Sequence, residues 1–205
     1  MAITKMSNSG IATGGNLKYD DMLAGNSPYI PRATVYESIA TQVLGTNATT
    51  VTFSAIPSTY QSLQIRINGK GVSVANFGGT YQIRFNGDTG ANYAYAAWYY
   101  DPTPATTAQA NMTSMDWAGV MPLNGSSITN MWGVSIVDIN NYANTTLEKS
   151  LKTFSGWCGN TVDIGYTTMS SGLWQNTAAV NSVTLNHNNT WLAGSEFALY
   201  GIKVS

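Results

Sequence analysis

Hydrophobic residues fall on alternate positions through much of this chain. Leu63, Ile65 and Ile67 alternate with Gln64, Arg66 and Asn68, and Tyr81, Ile83 and Phe85 alternate with Gln82, Arg84 and Asn86. A period of two puts one set of side chains on a buried face of a strand and the other on a wet face. Val183 and Leu185, then Phe197, Leu199, Tyr200 and Ile202, read as closing strands, whereas Val134 to Ile139 is apolar on both sides. Turn signals break these runs at Asn68-Gly69, Gly78-Gly79, Asn86-Gly87, Asn124-Gly125, Gly159-Asn160, Asn188-Asn189 and Gly194. Short strands punctuated in this way predict an all-β fold, and about eight to ten of them match an antiparallel β-sandwich of jelly-roll type.

Two stretches depart from the alternation. Residues 1–32 are rich in Gly, Ser and Asn and end in "SPYIPR". Too little there is apolar to fold alone, so they read as an extended N-terminal arm, disordered or ordered by docking. Tyr19, Leu23, Tyr29 and Ile30 are its apolar anchors. Residues 33–205 then form a single sandwich domain. Within it, "PTPATTAQANMTS" (102–114) is polar and carries two prolines. It cannot be a central strand and is expected to be a long surface loop.

Composition narrows the function classes. Charged residues make up 9% of the 205, against roughly 25% in an average soluble chain. The surface must therefore be made of neutral polar groups. With a net charge of −1 and no basic cluster, nothing favours nucleic acid, which needs grouped Lys and Arg. No stretch approaches the ~18 apolar residues of a membrane span, and the first residues lack the apolar core of a signal peptide. No membrane partner is expected, nor export by an ordinary signal.

Candidate chemistry is sparse. Cys158 is the one cysteine, which excludes an internal disulfide and a cysteine-rich zinc site. It is expected to be a small buried hydrophobe beside Trp157. His187, the one histidine, sits in "LNHNNTW", read as a turn between strands. No nucleophile elbow accompanies it, and the one adjacent acidic pair, Asp20-Asp21, lies in the arm. No catalytic residue, cofactor or metal is assigned, and the chain is expected not to be an enzyme. "FNGDTGAN" offers Asn86, Asp88 and Asn92 to a weak calcium site, but with a single carboxylate and no downstream Glu. The other reading is a type I′ hairpin turn, because Asn-Gly tolerates positive φ at both central positions.

Aromatics follow that turn: Tyr93, Tyr95, Trp98, Tyr99 and Tyr100 lie within eight residues. Alternation places Tyr93 and Tyr95 on one face. Such a row can be core packing, a subunit interface or a platform that stacks sugars. Tyr93, Tyr95, Trp98 and Tyr99 are the candidates for interface or glycan contact.

"NLKYDDMLAGNSPYIP", "VTFSAIPSTYQSLQIRI", "IRFNGDTGANYAY" and "SEFALYGIKVS", in this order, resemble a family of small virion proteins of tailed bacteriophages, carried by cyanophages and other aquatic phages. The resemblance runs from Lys18 to Lys203, and residues 102–133 match least. It implies a non-enzymatic β-sandwich on the outer surface of a particle, made in the host cytoplasm. The expectation is a head decoration (cement) protein docked through its arm on the major capsid protein or another virion protein. A homotrimer would suit a threefold position of the shell, since closed symmetry lets weak contacts add up. The alternative is a tail or head fibre module that recognises host surface glycans through the Tyr93–Tyr100 row.

Overall fold

The computed structural model describes residues 36–73, 78–101, 103–123, 130–159 and 165–203, all within the unit Tyr36–Lys203. The predicted arm, with Tyr19, Leu23, Tyr29 and Ile30, lies outside the described residues. Within them the alternation becomes strands and no helix forms. One sheet contains β1 (Tyr36–Val43), β12 (Glu196–Ile202), β3 (Ser62–Gly69), β8 (Gly133–Asn140), β9 (Lys149–Cys158), β10 (Gly165–Trp174), β5 (Tyr93–Asp101) and β6 (Thr103–Met112), in that spatial order. The second contains β2 (Ala48–Phe53), β11 (Val183–Trp191), β4 (Gly78–Phe85) and β7 (Met115–Pro122). Every pairing between these strands is antiparallel. The fold is therefore the expected all-β, sandwich-like arrangement, with twelve strands among the described residues rather than eight to ten.

The alternating sets meet between the sheets. Leu63, Ile65 and Ile67 of β3, Val137 and Ile139 of β8, and Phe197 and Leu199 of β12 share one buried cluster with Val51, Phe53, Tyr81, Ile83, Phe85, Val183 and Leu185 of the smaller sheet. The inner face changes character at β9 and β10, which pack against β7. There the buried side chains include Thr153, Ser155, Thr168 and Ser170, with Ser135 of β8 beside them. These small groups let β7 come close. Ser155 Oγ accepts a hydrogen bond from Val120 N of β7 (3.1 Å), and the Tyr81 hydroxyl reaches Ser135 Oγ at 2.6 Å.

Two expectations need correction. Residues 103–112 form strand β6 rather than a surface loop. Prolines are tolerated in a sheet at its edge, where a missing N–H breaks no ladder, and β6 is an edge strand. Secondly, Asn86-Gly87 is a turn of the expected handedness but does not make a hairpin. Both residues have positive φ (51° and 67°) and Asp88 N donates to Phe85 O at 2.9 Å. The strands on either side, β4 and β5, belong to different sheets. The turn is a corner between the two layers.

Candidate functional site

Register brings large apolar side chains into line on the outer face of the eight-stranded sheet. Ile136 stands opposite Phe154, Phe154 opposite Met169, and Met169 opposite Trp98. All four point away from the core, with exposures of 42%, 52%, 51% and 43%. Cross-strand neighbours sit about 5 Å apart, so the four form a ridge across β8, β9, β10 and β5. Val134 and Tyr100, two positions further along their strands, extend the exposed surface.

A groove runs beside the ridge. Two residues back along each strand the outer positions are Asp138, Lys152, Ser171, Ala96 and, on β6, Ala108, again in register. Where the large side chains give way to Ala96, Ala108 and Ser171, a depression of about 530 Å³ opens, walled by Trp98, Met169 and Lys152.

The neighbouring part of the outer face carries a polar network. The Arg66 guanidinium lies 5.4 Å from the ring centre of Tyr36 and 5.2 Å from that of Tyr200. Its Nε donates to Gln64 Oε1 at 2.9 Å, and Gln64 Nε2 donates to Asp138 Oδ1 at 2.8 Å. A polar network on β1, β12 and β3 thus borders an apolar patch on β8, β9, β10 and β5. Contiguous exposed apolar surface rimmed by polar groups is the usual mark of an interaction site.

The aromatic row divides. Tyr93 and Tyr95 are buried in the core and cannot make interface or glycan contacts. Tyr93 packs against Trp174, ring centres 6.4 Å apart, and its hydroxyl accepts from Phe85 N at 2.9 Å. Tyr99 is turned inward and stacks on Trp117 of β7 at 4.8 Å. Of the four candidates, Trp98 alone joins the exposed ridge. Phe154 and Met169 escaped the sequence reading because cross-strand register is not written along a chain. The one local trace was the two-sided apolarity of Val134 to Ile139.

The three side chains weighed for chemistry are accounted for otherwise. Both Asp88 oxygens are occupied: Oδ1 accepts from Gly90 N (2.8 Å), and Oδ2 from Asn92 Nδ2 (2.9 Å) and Trp174 Nε1 (2.7 Å). Burial works to raise its pKa, but the bonds from Asn92, Trp174 and Gly90 outweigh it and hold the carboxyl below its ordinary value. Asp88 thereby ties the corner to β10. His187 is not in a turn but inside β11, buried against Trp191 with ring centres 4.7 Å apart. The turn-like Asn188-Asn189 falls where the pairing of β11 with β2 jumps from Asn186 to Trp191. Cys158 is exposed rather than buried, since it shares the outward parity of Phe154 on β9.

Among the described residues no three of His, Cys, Asp and Glu come together as metal ligands, and no helix is long and apolar enough to cross a membrane. No protein-family model, characterised protein or solved structure matches the chain.

Proposed function

We propose that this chain is a structural protein of a tailed-phage particle, of the head decoration type, which works through protein–protein contact. The observation that carries this reading is the exposed ridge Ile136–Phe154–Met169–Trp98. Water-facing side chains of this size cost nothing to a strand but gain about 25 cal/mol for each Å² that a partner covers. The order of the quoted motifs, with their likeness to phage virion proteins, supplies the biological setting.

Strand order adds support. Setting aside β5, β6, β9 and β10 leaves β1-β12-β3-β8 facing β2-β11-β4-β7. Successive strands then alternate between two four-stranded sheets, except that β4 and β7 are paired neighbours in one sheet, as in a jelly roll with its paired Greek keys. In this reading β5–β6 and β9–β10 are insertions that widen one sheet, and Phe154, Met169 and Trp98 all lie on them. The added strands are where an association surface was built onto an ordinary roll, in keeping with function grafted onto a common fold.

The arm, residues 1–32, is proposed to dock on the shell. Full-length protein should co-sediment with particles that lack it, and a variant without residues 1–32 should stay folded yet remain in the supernatant. Equal binding by the truncated protein would overturn docking through the arm. A second reading, host glycan binding, is favoured by Trp98 standing exposed beside a groove that also presents Lys152, Ser171 and Thr106. An indole face with nearby polar groups is how proteins stack sugar rings. Loss of host adsorption in Trp98→Ala particles that are otherwise intact would favour it.

A further inference from the structure

We infer that the outer face of β8, β9, β10, β5 and β6 is a self-complementary surface that pairs with the same face of a second copy of this chain. The inference rests on the reading of that face as an association surface and supplies its partner.

The geometry is that of a ridge beside a groove, both running across the strands. Trp98 and Ala96 are two positions apart on β5, about 7 Å along the strand. A twofold axis lying in the interface, parallel to the ridge and midway to the groove, exchanges the two features. It sets Trp98 of each copy over the Ala96 and Ala108 positions of its partner, and Met169 over Ser171. An isologous contact needs this property, in which one patch fits itself. Ridge and groove lie an even number of residues apart on each strand, so both stay on one face.

Area and charge agree with a second copy. Five strands about 4.8 Å apart and roughly 28 Å long present roughly 650 Å² per copy, or about 1,300 Å² for the pair. That exceeds the ~1,000 Å² expected of a specific interface. Lys152 and Asp138 stand opposite each other in register, so the face carries balanced charge, and a chain of net charge −1 meets little repulsion from its copy. A small sugar would leave most of this area uncovered. A ring of three copies needs two different, mutually complementary patches. A patch that matches itself favours pairing, in place of the homotrimer expected from the sequence.

Sedimentation equilibrium of the full chain tests this. At roughly 10 μM the protein is expected at twice its monomer mass, as an interface of this size permits. Phe154→Glu with Trp98→Glu should weaken association by at least about 100-fold, since each copy would bury unpaired charges. Circular dichroism should be unchanged, because both side chains are exposed. Met169→Lys, also at an exposed position, gives the same test should the double variant misfold. Leu147→Glu, an exposed apolar position on the loop after β8, should remain paired. A wild-type monomer at roughly 100 μM, or variants that pair as well as wild type, would overturn the inference. A pair that fails to bind particles refutes the virion reading alone.

Discussion

Acidification from about pH 7.5 to about pH 5 should weaken the fold through one side chain, His187. Its ring is wedged between the backbones of β4 and the segment after β3. A Cβ added to Gly71 would lie 2.4 Å from His187 Cε1, and one added to Gly79 would lie 2.6 Å from it. Nδ1 accepts from Asn189 N at 3.0 Å and Nε2 has no partner. The neutral ring with its proton on Nε2 fits this arrangement; a charged ring would face no compensating acceptor. Burial accordingly pushes the pKa from 6.5 down to about 4. The folded value lies below the unfolded one, so the unfolded chain binds more protons between them. Stability is full above pH 6.5 and is lost as the pH falls through that window. At 1.36 kcal/mol per tenfold, the whole window is worth about 3 kcal/mol, of which about 2 kcal/mol is gone by about pH 5. For a chain of this length that lowers the melting temperature by roughly 4–8 °C. Asp88 contributes lower down, since a carboxyl held below 3.8 loses its stabilising effect only as the pH drops past that value. Thermal and urea unfolding by circular dichroism at the two pH values, for wild type and His187→Gln, would measure the effect. His187→Gln lowers stability at both pH values but should remove most of the difference between them. A wild-type curve that is flat over this range, or an undiminished slope in His187→Gln, would show that His187 does not carry the pH dependence.

Asp88 and Lys149, whose hydrogen bonds tie loops to the strands, offer further tests. Asp88→Ala strands the buried Trp174 Nε1–H and releases the corner, and should cost about 2–4 kcal/mol in urea unfolding. Because both Asp88 oxygens are already occupied, millimolar calcium should leave the melting temperature of the wild type unchanged; a rise would restore the calcium reading. Lys149 is fully buried, with Nζ donating to the carbonyls of Asn144 (2.7 Å), Thr177 (3.0 Å) and Leu147. Lys149→Met leaves these three acceptors without their donor and should destabilise the protein by about 3 kcal/mol, checked by the same unfolding assay.

What the sequence disclosed depended on whether the physics was local. Leu63, Ile65 and Ile67, like Tyr81, Ile83 and Phe85, announce their strands because a two-residue period needs no partner to be seen. Asn86-Gly87 announces its positive φ values for the same reason. Pairing is not local. The sequence suggests a hairpin at the corner because nothing near it says that β4 joins β11 while β5 joins β10. β6 looks like a loop because edge strands accept prolines and polar residues that central strands reject. His187 looks like a turn residue because an irregular stretch inside β11 uses the same residues as a turn. The outer ridge was hidden most fully. Ile136, Phe154, Met169 and Trp98 are separated by up to 71 positions, the span from 98 to 169, and only the register of four strands makes them neighbours.

If the widened outer face serves assembly on a virus particle, a density map of intact particles from the source of this sequence should show β-sandwiches on the head surface. They should be paired through β5, β9 and β10, with Trp98 and Phe154 covered by the neighbouring copy. Particles that lack the chain, or that carry it with this face open to solvent, would exclude that role.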